Sequence, residues 1–256
     1  MTRRAFVLML MVCAAACGSD RPPFVPTQPP VVIPPVEDPP PPPPPPTLAV
    51  TRIMAFGDSL TEGDPPTLGQ IRLRPAHDPS TPGGQKSYPY KLHALLSATY
   101  TPQKIEVFNE GLGGEPVAHS SAKDRYLAAL ARHKPQVVLM MHGTNDLLSS
   151  APQNAIVNAI EELIELSPAR GVQRVFLASL PPNFRSPARE QLSDYNNRLR
   201  ILAPATGSIF VDIFPNIDTA TMMAPDGLHI NESGNQRIAE VFFAALKAAY
   251  HRDPPP

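Results

Sequence analysis

Apolar and polar positions alternate in blocks from about residue 48 to residue 250. Five short apolar runs lack the strict alternation of half-buried strands and are typical of strands buried in a parallel sheet. They lie at 51–56, 104–109, 136–141, 174–179 and 208–213. Apolar residues at helical spacing occupy the segments between and after these runs, at 88–100, 121–133, 154–166, 188–202 and about 233–250. This order predicts an α/β fold, a three-layer α/β/α sandwich around a five-stranded parallel sheet.

The first residues of the chain follow a different pattern. Arg3 and Arg4 precede an apolar stretch at 5–16, and the chain becomes polar at Gly18. That stretch is too short to span a bilayer, which takes about 20 residues, but it has the length of a signal-peptide core. We therefore predict a signal peptide at 1–16. The alternative is a buried amino-terminal helix.

Cys17 stands at the end of this stretch. The sequence AAAC at 14–17 resembles a bacterial lipobox, in which cleavage precedes a cysteine that is then lipidated. The resemblance implies an exported protein held by lipid at Cys17. It also implies the outer membrane, because Gly18 rather than Asp follows the cysteine. The alternative is ordinary signal cleavage nearby, which gives a periplasmic or secreted protein.

Proline dominates the next segment. The chain has 35 prolines, and they are concentrated at 21–47. Proline removes amide donors and fixes φ, so this segment favours polyproline II over a packed core. We predict a stiff linker at 17–47, a single domain at 48–251 and a disordered tail at 252–256. The linker's alternative role is to bind a proline-recognising partner.

Composition excludes several classes of function. The net charge of −1 gives no electrostatic reason to expect nucleic acid as a partner. The chain has two cysteines, Cys13 and Cys17, and both belong to the leader, so no disulfide is expected in the domain. No HExxH or CxxC pair suggests zinc, and Leu60 interrupts the one calcium-like stretch. We expect no metal, while the oligomeric state stays open.

Small polar residues follow the predicted strands, where ligands bind in parallel sheets. The segments are GDSL (57–60), NEGLGGE (109–115) and HGTND (142–146), with DGLHIN (226–231) on a late loop. Each alone suits a turn or a helix cap. Asp58 and Asp146 are expected to bond to nearby backbone in this way, and His142 is expected to be structural.

Together these segments meet the requirements of a serine hydrolase, which needs a nucleophile, a base, an orienting acid and oxyanion donors. Ser59 would be the nucleophile and His229 the base. Asp226 would orient the imidazole. The oxyanion hole would consist of the backbone N–H groups of Ser59 and Gly114 and the side-chain amide of Asn145.

These segments resemble the conserved blocks of the SGNH hydrolase family, also called the GDSL esterases and lipases. The matches are Ser59 in GDSLTEG, Gly114 in NEGLGGE, Asn145 in GTND, and Asp226 with His229 in DGLH. Gly114 stands five residues after Asn109, as in the family, and the adjacent Gly113 is the alternative register. The resemblance covers the whole domain. It implies the flavodoxin-like three-layer fold and hydrolysis without a cofactor.

The expected activity is therefore that of a serine esterase acting through an acyl-enzyme on Ser59. The resemblance implies ester substrates that range from small acyl groups on carbohydrates to lipids. A lysophospholipase, a lipase or a thioesterase is the alternative within hydrolases, and a non-catalytic envelope-binding protein is the alternative outside them. The loop at 64–86 would overhang the site, where Arg72, Arg74 and His77 would meet an anionic group; its alternative role is a mobile surface loop.

Overall fold

The computed structural model of this chain describes residues 44–63 and 86–254. The predicted signal peptide, Cys17 and nearly all of the proline-rich linker lie outside these residues. The loop residues Arg72, Arg74 and His77 lie outside them as well. The predictions made for these segments therefore stay predictions.

A five-stranded parallel sheet forms the centre of the domain, as the pattern predicted. The strands of the chain are β1 (Thr47–Leu48), β2 (Arg52–Gly57), β3 (Glu106–Gly111), β4 (Val137–Met141), β5 (Arg174–Ala178), β6 (Ile209–Val211) and β7 (His251–Arg252). The order in the parallel sheet is β3-β2-β4-β5-β6. Each of its strands lies within two residues of a predicted run at both ends.

Helices flank this sheet. They are α1 (Ser59–Glu62), α2 (Tyr88–Thr99), α3 (Ser120–His133), α4 (Thr144–Leu148), α5 (Gln153–Leu166), α6 (Ala188–Ala205) and α7 (Glu232–Tyr250). Helix α2 packs on α7, and α5 packs on α3 and α6. The five long helices are those that the spacing predicted. Within the described ranges, none of the helices has both the length and the apolar character needed to cross a bilayer.

The core explains why the strand pattern is continuous rather than alternating. All five residues of β4 are buried, and so are the last five residues of β2. A central strand with helices on both sides has no solvent-facing positions, so it carries apolar side chains in succession. Only one residue of β3, Val107, is fully buried, because this strand lies at the edge of the sheet.

The two-residue strands β1 and β7 join the two ends of the domain. They are antiparallel, with Thr47 opposite Arg252 and Leu48 opposite His251. Gln103 holds β1 as well, since its side chain accepts from Leu48 N at 2.6 Å and donates to Leu48 O at 2.9 Å. The pairing thus extends one residue beyond the predicted domain limits of 48 and 251 at each end, since Thr47 and Arg252 are both strand residues. Two residues are too few to show a pattern.

Candidate active site

The predicted site segments meet at the carboxyl end of the parallel sheet. β2 lies between β3 and β4, and Gly57 is level with Gly111 on one side and Met141 on the other. The chain leaves all three strands at the same height. Ser59 begins α1 just after β2, and Asn145 is the second residue of α4 just after β4. The sheet therefore brings together segments that lie far apart in sequence.

Ser59, His229 and Asp226 form a continuous hydrogen-bonded line. Ser59 Oγ lies 3.0 Å from Nε2 of His229, and Nδ1 of the same ring lies 2.6 Å from Oδ2 of Asp226. Ser59 is 5% exposed, and the His229 side chain is 13% exposed. When Nδ1–H donates to the carboxylate, Nε2 is free to accept the proton of the serine hydroxyl. This geometry suits a nucleophile, its base and an orienting acid.

The loop that carries Asp226 and His229 holds the carboxylate in its ionised form. Oδ1 of Asp226 accepts from the backbone N–H groups of Leu228 and His229, both at 2.9 Å. Burial alone would raise the pKa of Asp226. The hydrogen bonds from the backbone and ring of His229 and from Leu228 outweigh burial and lower that pKa to about 2. Asp226 is therefore a carboxylate throughout the pH range in which enzymes usually work.

Asp58 fixes the position of the neighbouring serine. Its Oδ1 accepts from Leu60 N at 3.0 Å and so caps α1, and its Oδ2 accepts from Thr144 N at 3.2 Å. One buried side chain thus joins the segment after β2 to the segment after β4. Burial raises the pKa of Asp58, although the adjacent His142 and the two backbone donors oppose this. The prediction that Asp58 bonds to nearby backbone is confirmed.

The candidate oxyanion donors lie on three segments that are tied together. Asn145 Nδ2 donates to Glu115 O at 3.0 Å, which places the amide beside the loop that contains Gly114. Gly113 N donates to Glu62 Oε2 at 2.8 Å. Among the residues that the structure describes, neither Ser59 N nor Gly114 N donates to another group. Both of these N–H groups are therefore available to a ligand.

The residue after Asn145 anchors the same loop. Asp146 Oδ2 accepts from Val117 N at 2.8 Å, and Oδ1 accepts from Ala118 N at 2.9 Å. This confirms that Asp146 holds its loop through backbone hydrogen bonds. Two successive residues of α4 thus fix the path of the chain between Gly114 and α3.

The family comparison covers this whole site. The sequence model of the GDSL-like Lipase/Acylhydrolase family matches residues 55–237, a range that includes the five residues predicted from the motifs. The chain belongs to this family. As a GDSL-family member it is a hydrolase of carboxylic esters. No curated protein matches the chain.

Solved structures share the fold of this GDSL hydrolase. The acetylxylan esterase Axe2 from Geobacillus stearothermophilus has 22% identity and a TM-score of 0.64, over 78% of this chain and 96% of Axe2. LAE5, described as an alpha/beta hydrolase enzyme from the metagenome of Lake Arreo, gives the same four values. A G-D-S-L family protein from Desulfitobacterium hafniense has 18% identity and a TM-score of 0.59, over 76% of this chain and 98% of its own. Identities this low show a shared fold.

A buried ion pair lies beside the GDSL site, between Glu115 and Arg125. The motifs did not indicate this pair. Glu115 is buried and accepts from Arg125 Nε at 2.9 and 3.1 Å, and Arg125 Nη2 donates to it as well. His142 Nε2 lies 3.1 Å from Glu115 Oε2. Burial raises the pKa of Glu115, but the contacts with His142 and Arg125 outweigh it and lower that pKa.

Arg125 extends this support to the ends of two strands. It donates to Glu110 O at 2.7 Å and to Gly57 O at 3.2 Å, and its guanidinium lies 4.1 Å from the centre of the Phe56 ring. Glu115 was part of a quoted motif, but its partner on α3 gave no signal, since a charged helical residue is usually solvated. We call Glu115, Arg125 and His142 the buried cluster.

A metal was not expected at this site. In residues 44–63 and 86–254, no three or more His, Cys, Asp or Glu side chains are grouped so that they could hold a metal ion.

Proposed function

We propose that this GDSL hydrolase cleaves small acyl esters of carbohydrates or lipids through an acyl-enzyme on Ser59. The main support is the Ser59–His229–Asp226 line, with distances of 3.0 and 2.6 Å. A second support is that backbone N–H groups fix Oδ1 of Asp226, which leaves Oδ2 to accept from Nδ1–H of His229. This bond holds the imidazole in one orientation and one tautomer.

In the first half of the reaction, Ser59 Oγ attacks the ester carbonyl and His229 Nε2 takes the hydroxyl proton. The carbonyl oxygen becomes an oxyanion in a tetrahedral intermediate. His229 then gives the proton to the alcohol oxygen, the C–O bond breaks, and the alcohol leaves. The acyl group remains on Ser59 as an ester.

In the second half, water replaces the alcohol. His229 Nε2 takes a proton from this water, which attacks the acyl carbon. The second tetrahedral intermediate collapses as His229 returns the proton to Ser59 Oγ. The carboxylic acid leaves, and the enzyme is restored. Asp226 stabilises the imidazolium that forms in both halves.

We propose Ser59 N, Gly114 N and Asn145 Nδ2 as the oxyanion donors. The choice of Gly114 over Gly113 is supported by Glu62, whose carboxylate accepts from Gly113 N at 2.8 Å. A donor already bonded to a carboxylate is poorly placed to stabilise a second anion. Ser59 N is the first N–H of α1, and such groups have no partner within their helix.

The substrate class is proposed from two observations. Axe2, which shares the fold, is an acetylxylan esterase, so acetylated carbohydrates are the first class to test. We call the loop that carries Asp226 and His229 the catalytic loop. Phe184 is 49% exposed and lies beside this loop, since its N–H donates to Gly227 O at 2.8 Å. Its ring offers an apolar face to a sugar or to an acyl chain. A lipase, lysophospholipase or thioesterase activity is the alternative.

We also propose that the enzyme is exported and held by lipid at Cys17, with a proline-rich linker at 17–47 and the catalytic domain at 48–251. The support is the sequence of the leader and its AAAC motif. Such an enzyme would act on esters outside the cytoplasm. A periplasmic or secreted form is the alternative.

The test is the hydrolysis of p-nitrophenyl esters from acetyl to dodecanoyl by the wild type and by Ser59→Ala. We expect the wild type to be most active on the shortest chains and the variant to fall to the background rate. A maximum at long chains would favour the lipase alternative. Hydrolysis that Ser59→Ala retains would contradict the acyl-enzyme. No hydrolysis of these esters, or of acetylated xylan, by the wild type would favour a non-catalytic envelope-binding protein.

A further inference from the structure

Arg185, on the segment between β5 and α6, contacts Asp226 on the catalytic loop. Arg185 Nε donates to the backbone oxygen of Asp226 at 2.9 Å. Nη2 of the same guanidinium lies 3.3 Å from Oδ2 of Asp226. One side chain thus contacts both the backbone and the carboxylate of Asp226, which fixes the direction in which that carboxylate points.

The backbone of Arg185 is itself held in place. Asn183 is buried, and its Oδ1 accepts from Arg185 N at 2.8 Å. Arg185 O accepts from Arg189 N at 3.0 Å, where α6 begins. The guanidinium therefore extends from a fixed point between β5 and α6 rather than from a free loop.

The catalytic loop is shaped to approach this segment closely. Gly227 follows Asp226 and has φ of 71°, a conformation that favours glycine. A Cβ at this position would lie 3.3 Å from Cβ of Phe184. With the hydrogen bond from Phe184 N to Gly227 O, this contact seats the loop on the segment that carries Arg185.

The guanidinium of Arg185 contacts the same carboxylate oxygen of Asp226 that accepts from the imidazole of His229. Oδ2 of Asp226 contacts both His229 Nδ1 and Arg185. On the described elements around it, His229 faces Asp226 on its own loop and Ser59 at the start of α1, and Asp226 in turn faces Arg185. A fixed positive charge here lessens the pull of the carboxylate on a protonated imidazole.

We infer that Arg185 is a positioning residue for the reaction, which holds Asp226 in place and extends activity towards acid. This inference rests on the proposed function, in which His229 must be neutral to accept the proton of Ser59. A structural role is a weak alternative, because the Arg185 side chain is 46% exposed and exposed ion pairs contribute little to stability.

The test compares Arg185→Gln and Arg185→Lys with the wild type in kcat and KM for p-nitrophenyl acetate across pH. Arg185→Gln removes the charge, so the acid limb of kcat/KM should move to higher pH by about half a unit at low salt. kcat at the optimum pH should fall roughly three- to tenfold, because the variant loses the two contacts of the guanidinium with the backbone oxygen and the carboxylate of Asp226. Arg185→Lys keeps the charge, so its acid limb should stay with the wild type. The shift should shrink in high salt.

Arg189→Ala is the matched control, since it removes an exposed positive charge four residues away. It should leave the acid limb and kcat unchanged, and all variants should unfold at the same urea concentration. An acid limb of Arg185→Gln that coincides with the wild type would overturn the inference. A shift of the acid limb in Arg189→Ala as large as that in Arg185→Gln would overturn the inference as well.

An NMR titration of the His229 ring separates this inference from the proposed function. Its midpoint should rise in Arg185→Gln and stay in Arg185→Lys, whether or not the enzyme hydrolyses the ester. A wild type without Ser59-dependent hydrolysis would refute the proposed function only. An unchanged midpoint in Arg185→Gln would refute the role of Arg185 only.

Discussion

The side-chain amide of Asn145 has two hydrogens, and the structure accounts for one of them. One N–H donates to Glu115 O, and this bond sets the direction of the other. A donor that is held rigidly before the reaction costs no reorganisation when negative charge develops in the transition state. Asn145 is therefore suited to stabilise the oxyanion more strongly than the substrate carbonyl.

Asn145→Ala tests this role at the scale of a single residue. We expect kcat for p-nitrophenyl acetate to fall about 10²- to 10³-fold with little change in KM, because the lost donor acts mainly in the transition state. Asn197→Ala is the control, since Asn197 is an exposed amide on α6 and its loss should not change kcat. A fall of less than tenfold in Asn145→Ala would exclude this amide as a main donor.

At the residue scale, the motifs contain the residues of the Ser59–His229–Asp226 line but not the arginines that contact them and their neighbours. Ser59 and Asn145 belong to motifs that directly follow strands, and His229 belongs to a motif on a later loop, because the predicted chemistry requires particular residue types at these places. Arg125 and Arg185 lie in a helix and a loop with no motif. Their partners are 10 and 41 residues away in sequence. Such pairs become visible only when the fold brings the partners together.

At the scale of elements, the buried cluster joins three segments that carry the site. Glu115 follows Gly114, His142 precedes α4, and Arg125 reaches from α3 to the ends of β2 and β3. A carboxylate that neutralises a largely buried arginine is costly to remove, because Arg125 would lose its nearest partner and keep only the more distant carboxylate of Glu110 at 3.8 Å.

Glu115→Ala tests the cluster. We expect the free energy of unfolding in urea at pH 7 to fall by about 3 kcal/mol or more. The exposed Glu165 on α5 gives the control variant Glu165→Ala, for which a change within about 0.5 kcal/mol is expected. A similar small change in Glu115→Ala would show that the cluster does not stabilise the fold.

The difference in the free energy of unfolding between the wild type and Glu115→Ala should change with pH in a definite direction. The pKa of Glu115 is lower in the folded protein than its ordinary value, so its contribution is fully present above about pH 4.3. It is lost as the pH falls through the lower, folded value. The gap between the wild type and Glu115→Ala should therefore narrow in acid.

The elements that the pattern missed are all short. Helices α1 and α4 have four and five residues, and β1 and β7 have two each. A segment of this length does not complete enough of a helical or strand period to be distinguished from a turn. The long elements were predicted within two or three residues at each end, because burial in the sheet or against it dictates their apolar positions.

At the scale of the whole molecule, the loop that carries His229 and the paired strands β1 and β7 lie at opposite ends of α7. Helix α7 begins three residues after His229 and has 19 residues, so it spans about 28 Å. It ends where β7 pairs with β1.

Cys17→Ser tests the proposed lipid anchor. We expect the wild type in the membrane fraction of cells and the variant in the soluble fraction, because each buried acyl CH₂ contributes about 0.8 kcal/mol to membrane binding. Cys13→Ser is the matched control, since it removes the other cysteine of the leader and should leave the protein on the membrane. A soluble wild type would contradict the lipoprotein interpretation.

The pairing of β1 with β7 also has a topological consequence. With Thr47 opposite Arg252, the path of the backbone through the domain is almost a closed ring. Ends that lie this close are the usual condition for circular permutation, in which old termini are linked and new ones opened in an exposed loop. A permuted chain would carry Ser59, Gly114, Asn145 and His229 in another linear order. Their order along the chain is thus a matter of where the ring is open, whereas their meeting point is set by the sheet.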